Sequence, residues 1–190
     1  MPHRHFIIHK PFGVLSQFAT QQVKQRRKRL LGELYDFPAN TMAIGRLDEA
    51  SEGLLLLTTD GQVSEFWRKP TIEKEYYAQV DGVPDAHAVE ALARGVEIGF
   101  AGRRYTTKPC TVSAIEDPNF PERSRRIRDE RHGPTSWLSV TLTEGKFRQV
   151  RKMTAAVGHP TLRLVRVRIG HHVLHDFQPG SVREVADLRE

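Results

Sequence analysis

Residues 42–59 read MAIGRLDEASEGLLLLTT. A short apolar run meets Gly45, a polar and acidic passage follows, and Leu54, Leu55, Leu56 and Leu57 return to apolar character. Short apolar runs bounded by glycine predict two fully buried strands, and Asp60-Gly61 just beyond is a turn signal. The passage between them is then a loop displayed by two rigid elements, the setting in which catalytic groups concentrate. If the chain stays extended through Gly45, Arg46 and Asp48 share one face and Leu47 points to the other. A carboxylate beside a guanidinium is suited to act as a nucleophile or base. A solvated turn with a surface ion pair is the competing reading of the same residues.

Around this stretch, the 190 residues are 38% hydrophobic, enough for a core in one domain or two closely packed lobes. Lys and Arg exceed Asp and Glu by 29 to 23, a formal +6, which favours a polyanionic partner, nucleic acid first. Cys110 is the only cysteine, so an intrachain disulfide and a cysteine-based zinc cluster are both excluded, as expected for a reducing compartment, with cytoplasm the default. The start of the chain lacks a signal-like apolar region, and no run approaches the roughly 20 apolar residues a membrane span requires. His171, His172 and His175 have no cysteine or carboxylate at ligand spacing, so no metal is expected.

Along the chain, patterning predicts a strand at 5–9 that runs through a KPFGVLS turn. A helix capped by Asp60 follows the central stretch, with Val63, Phe66 and Trp67 facing the core and Pro70 at its end. A strand at 72–80 puts Lys74 and Tyr76 on one face, and an amphipathic helix at 85–94 closes at Gly95. Short strands at 95–98, 103–107 and 110–115 suit an antiparallel sheet. Residues 117–134 read as a long loop in which Arg123, Arg125, Arg126, Arg128 and Arg131 interleave with acids. A strand at 137–143 leads to a helix at 147–157, with Phe147, Val150, Met153 and Val157 packed and Arg148, Arg151 and Lys152 on the other face. A short strand at 182–185 ends the pattern. Residues 17–29, bordering a helix or a mobile loop, finish in Lys24, Arg26, Arg27, Lys28 and Arg29, with apolar Leu30, Leu31 and Leu34 behind. Such a run is usually a solvated face; against RNA it is a phosphate clamp that supplies affinity and salt dependence.

Gly45-Arg46-Leu47-Asp48 followed by Ser51-Glu52-Gly53-Leu54-Leu55-Leu56-Leu57-Thr58 resembles the motif around the catalytic aspartate of RNA pseudouridine synthases, in their RsuA-type branch. Three further pieces resemble the family in the same order: the Lys10-Pro11-Phe12-Gly13-Val14-Leu15-Ser16 turn, Lys74-Glu75-Tyr76, and GKFRQVRKM with Gly158-His159-Pro160 and Leu162-Arg163-Leu164-Val165-Arg166 after it. Most RsuA-type members carry a small RNA-binding domain before the first strand. With no room for one here, the resemblance is to the compact RluE-like members.

The resemblance implies an α+β fold over 1–190, a single catalytic domain with a mixed, mostly antiparallel central sheet, flanking helices and a basic cleft. It implies isomerisation of a specific uridine in large-subunit (23S) rRNA, free or in early assembly, by a cytoplasmic monomer needing no metal or redox cofactor. Asp48 is then the essential group, attacking the sugar or ring carbon or abstracting a sugar proton. Arg151 reaches and orients it, and Tyr76 stacks on the base and assists proton removal. Arg46 fills the space a flipped base leaves. Lys74, Lys146, Phe147, Arg148, Gln149 and the basic run contact RNA, and Leu164 or Val165 walls the uracil pocket. Arg148 stands where the family more often has histidine. A catalytically silent rRNA-binding assembly factor using the same cleft is the alternative, which the full set of motifs disfavours. A nucleotide hydrolase using Asp48 with Glu49 or Glu52 lacks a phosphate-binding glycine loop.

Overall fold

The fold is built on β5 (Glu52–Thr58), every residue of which is buried. Its four leucines divide by the period of two: Leu55 and Leu57 pack with Phe6, Ile8, Val14 and Leu31 on one side of the sheet. Leu54 and Leu56 pack with Val63, Trp67, Val165 and Val167 on the other. Each leucine taken fully out of water contributes about 1.5–3 kcal/mol, which explains why a run without polar alternation is a central strand.

In this computed structural model, which describes residues 2–23, 27–128 and 130–190, the other elements follow in chain order. They are β1 (His5–Lys10), β2 (Val14–Leu15), β3 (Arg29–Leu30) and β4 (Met42–Ile44) before β5, then α1 (Gly61–Trp67), β6 (Lys74–Asp81) and α2 (Ala86–Arg94). After these come β7 (Glu97–Phe100), β8 (Arg103–Thr106), β9 (Thr111–Ile115), β10 (Thr135–Leu142), α3 (Gln149–Ala156), β11 (Thr161–Ile169), β12 (His172–Val173) and β13 (Val182–Val185). Nine strands make the central sheet in the order β13-β1-β5-β11-β6-β10-β9, with β4 on β5 and β12 on β11. Among the described residues its ladders are antiparallel except that of β5 with β11, so the expected mixed, mostly antiparallel sheet is found. At that parallel seam Gly53 has φ +106°, and a Cβ there would meet the Arg166 carbonyl oxygen at 2.3 Å. Only glycine lets the two strands approach.

Beyond Leu54 and Leu56, one face of the sheet carries α1, capped by the Asp60 carboxylate accepting from the Gln62 amide at 2.8 Å. The opposite face of β6, β10 and β11 carries α2 and α3, with Leu92, Val150 and Met153 against Ala78, Val80, Leu138 and Leu164. Several expectations are corrected. Phe66 is 37% exposed with the Lys69 ammonium over its ring, because a seven-residue helix buries only a narrow stripe. α3 starts at Gln149, leaving Phe147 outside the helix and 67% exposed. The strands at β7 and β8 form their own hairpin, and only β9 joins the main sheet. The described part of 17–29, expected to border a helix or a loop, leads into β3, which pairs with β2, and a 3-10 turn at Leu31–Glu33 follows. Lys24 and Arg26 lie outside the described residues. No described helix is long and apolar enough to cross a membrane.

Candidate active site

Gly45, at φ +72°, turns the chain out of β4, so the extended alternation stops there. Arg46 is exposed and Leu47 buried. The loop from Gly45 to Ser51 is then fastened from three sides. The Ser16 hydroxyl donates to the Leu47 carbonyl at 2.8 Å and accepts from the Leu47 amide at 3.0 Å. The Gly13 amide donates to the Glu49 carbonyl at 2.9 Å, and the buried Lys10 ammonium donates to the carbonyls of Val14, Pro11 and Glu49 at 2.7, 3.0 and 3.5 Å. From α3, Arg151 Nη2 donates to the Ala50 carbonyl at 2.9 Å while its Nη1 holds the Thr161 carbonyl at 3.2 Å. The Ser51 amide closes the turn on the Asp48 carbonyl at 3.0 Å. Bonds from charged donors contribute about 1.5–3 kcal/mol each, so Arg151, 2.9 Å from the Ala50 carbonyl, is the strongest of these fastenings, and Lys10, 3.5 Å from the Glu49 carbonyl, is a weaker one.

The cation paired with the Asp48 carboxylate is Arg148, Nη1 to Oδ2 at 3.4 Å. Arg148 is the N-cap residue of α3 and sits at φ +54°, ψ 35°, a left-handed conformation unusual for a side chain of its size. Strain of this kind collects at functional sites. Asp48 and Arg148 border a small cavity of about 90 Å³, with Arg46 and Lys146 also at its edge and Tyr76, Leu142, Val150 and Leu164 in its walls. β6 supplies Tyr76 and β11 supplies Leu164. The guanidinium of the buried Arg166 lies 6.0 Å from the Tyr76 ring centre and is tied by Nε to the Leu54 carbonyl at 2.8 Å.

The structure gathers Asp48, Tyr76, Arg46, Lys146, Arg148, Gln149 and Leu164 around one cavity. Arg151 lies beside it and ends on loop backbone rather than on the carboxylate of Asp48. Burial, and then Arg148, draw the Arg151 guanidinium down to about 10, with Asp48 pulling the other way. Gln149 is buried and spent internally, its Oε1 accepting from the Lys146 amide at 2.9 Å and its Nε2 donating to Glu144 at 2.6 Å. Lys146 lies over the rings of Phe100 and Tyr105 at 5.2 and 4.9 Å. Lys74 does not reach the cavity; its half-buried ammonium donates to the Ile72 and Thr143 carbonyls at 2.7 and 3.4 Å. Val165 is not a pocket residue: strand alternation turns it to the opposite face, fully buried with Leu54 and Leu56. Phe147 stands outward beside the cavity, with the Lys152 ammonium 5.5 Å above its ring. In the basic run, Arg27 is exposed, Lys28 is ion-paired with Glu49, and Arg29 faces Glu33 at 3.4 Å.

Three site-building features were not assigned roles from sequence. Lys10 and Ser16 stand in the quoted KPFGVLS turn, and the signal available was a lysine within an apolar strand. Burial draws the Lys10 ammonium down to about 7, with Glu52 and Asp48 opposing it. The third is the buried pair of Glu52 and Arg163, bidentate at 2.8 and 3.0 Å. Among the described residues no group of three or more His, Cys, Asp or Glu side chains could hold a metal ion.

A carboxylate at the edge of a small, partly apolar slot walled by an aromatic ring, on a basic surface, suits chemistry on a flat ring drawn out of a polyanion. Residues 4–156 match the RNA pseudouridylate synthase family, and the chain belongs to it. It is 44% identical over 186 residues to "Ribosomal large subunit pseudouridine synthase E" of Xanthomonas campestris pv. campestris, covering 96% of this chain and 95% of that protein. It is 30% identical over 183 residues to "Ribosomal large subunit pseudouridine synthase B" of Bacillus subtilis, covering 95% of this chain and 67% of that one. A solved pseudouridylate synthase superposes with a TM-score of 0.75 at 26% identity, over 96% of this chain and 70% of its own.

Proposed function

We propose that this chain converts one uridine, or very few, in large-subunit rRNA to pseudouridine, with Asp48 as the essential group. The observation that carries the reading is the Asp48 carboxylate, paired with Arg148 at the edge of a cavity walled by Tyr76 and Leu164. The reaction breaks the bond from the ring nitrogen of uracil to the anomeric carbon and rejoins the ring through carbon, which then loses its proton. Asp48 opens it, by attack on the sugar or ring carbon or by taking a sugar proton. Tyr76 stacks on the base and assists removal of the ring proton, and Arg46 fills the space left in the RNA. Flipping a base costs a few kcal/mol, so contacts made only with the flipped base must offset that cost. The large-subunit substrate is supported by relatives that carry it in their names. RNA that is free or early in assembly is preferred, because packed tertiary structure raises the cost of flipping. The enzyme acts as a monomer in the cytoplasm.

The test is tritium release from ring-labelled uridine. Release is expected with large-subunit rRNA and not with tRNA. Release from tRNA or small-subunit rRNA alone would overturn the substrate assignment, and no release from any RNA would overturn the activity and leave a silent rRNA-binding factor.

A further inference from the structure

The face of the sheet opposite the Asp48 cavity holds a second and much larger one. Alternation along β6 turns Tyr76 and Ala78 toward α2 and α3, and Tyr77 and Gln79 the other way. There the segment after β9 lies over the sheet and borders an open cavity of about 980 Å³. Among the described residues, five arginines line it, Arg123, Arg125, Arg126, Arg128 and Arg163, against a single acid, Glu122. Two of the five are neutralised from below: Arg163 by Glu52 in the buried bidentate pair, and Arg128 by Asp81. Among the described residues, Arg123, Arg125 and Arg126 form no ion pair, which leaves three cations facing one exposed glutamate.

Two polar atoms of the lining, Arg128 Nε and Gln79 Oε1, are buried without a hydrogen-bond partner among the described residues. A donor and an acceptor therefore stand ready beside the cations. The wall also contains Phe120, which meets Trp137 edge-on at 5.7 Å and carries the Arg163 guanidinium at 5.5 Å. Positive charge with an aromatic wall is the pairing that holds single-stranded nucleic acid, phosphate on the cations and base on the ring. The lining also reaches toward the catalytic loop: the Arg123 guanidinium lies 4.6 Å over the ring of Phe12, whose neighbour Gly13 holds the Glu49 carbonyl.

We propose that this arginine-lined cavity binds a single-stranded segment of the substrate RNA away from the target uridine. It rests on the reading that the chain acts on RNA, and it gives the segment between β9 and β10 a part in recognising that RNA. A free nucleotide shares the phosphate chemistry and is distinguished by the test.

The full chain is titrated with fluorescein-labelled oligouridine of about twelve nucleotides, within the reach of one such module. Arg125→Glu with Arg126→Glu is expected to weaken binding at least tenfold. It should also flatten the dependence of log affinity on log salt, by about 0.7 for each phosphate that is no longer neutralised. Glu122→Lys is expected to tighten binding and steepen that slope, an outcome that misfolding does not produce. On large-subunit rRNA the double variant should raise KM and leave kcat unchanged. Unchanged oligouridine affinity and slope in both variants overturn the proposal, as does a double variant that loses UMP binding while keeping oligouridine. Because affinity is read without turnover, failure of the tritium test would remove the enzymatic reading and leave this result standing.

Discussion

The loop from Gly45 to Ser51 and the segment from 116 to 134 solve opposite problems. The loop is short, and its carbonyls are engaged by Lys10, Ser16 and Arg151, so the Asp48 carboxylate is displayed from a fixed backbone. The segment is long and, among its described residues, irregular apart from a single 3-10 turn, and it offers cations in number around a large space. Chemistry on one bond depends on position, since a displacement of an ångström can cost a hundredfold in rate. Affinity for a polyanion depends on charge count and tolerates imprecise placement. Two regions of one fold have therefore been built to different tolerances.

The sharpest break in that comparison is Asp48→Asn, which preserves shape and removes the charge. Isomerisation should fall below about a thousandth of wild type with RNA affinity nearly intact, as expected for loss of an essential group. A rate within tenfold of wild type would remove Asp48 from the chemistry. Next, Tyr76→Leu should lose stacking and proton transfer together, whereas Tyr76→Phe loses only the latter, about 10²–10⁴ in rate where a proton transfer is rate-determining. Single-turnover rates of the pair decide it, and equal rates near wild type would make Tyr76 a packing residue.

The two regions share one anchor. Arg163 binds Glu52, at the head of β5, and also donates to the Pro121 carbonyl at 2.9 Å. Removing one partner of a buried pair costs about 3–5 kcal/mol, so Glu52→Gln should lower denaturant stability by that order and loosen both regions at once. Hydrogen exchange that rises in only one of them would show them to be independently anchored.

A smaller effect comes from Lys10. Its folded-state pKa, about 7, lies below the 10.5 of an ordinary lysine, so between those values the unfolded chain binds more protons. Unfolding free energy should therefore rise with pH from about 7 toward 10.5, by at most about 1.4 kcal/mol per unit, and be flat below. Lys10→Met should remove that component of the slope, and a difference curve with no slope would refute the assignment. Smallest is Arg148→Gly, which relieves a left-handed conformation worth about 1 kcal/mol while deleting the ion pair to Asp48. Thermal stability should rise slightly as kcat falls; Arg148→Ala, which keeps the strain, should be less stable than Arg148→Gly.

How much of this was legible in the chain follows from which interactions are local. The leucine run of β5, the Asp60 cap and the strand carrying Tyr76 obey local rules, and the structure follows them. Asp48 emerged from a motif of contiguous residues. The partner of its carboxylate did not, because Gly45 ends the alternation on which the Arg46 reading depended, and Arg148 comes from 100 positions away. Glu52 with Arg163 is longer still, and neither residue declares a partner in sequence. The cavity under 116–134 depends on how an aperiodic segment lies over a sheet, and no spacing encodes that.

The parallel ladder between β5 and β11 has a consequence for the order of events during synthesis. It joins Glu52 to Val165, so the cavity's last wall, Leu164, arrives only after nearly the whole chain is made. Contacts so far apart carry a large loop-closure entropy and form late. A nascent chain emerging from the ribosome thus displays its basic segments before the cavity beside Asp48 is closed. On the reading proposed above, it meets the RNA around it as a ligand before it can alter that RNA, and the two capacities coincide only once translation has passed β11.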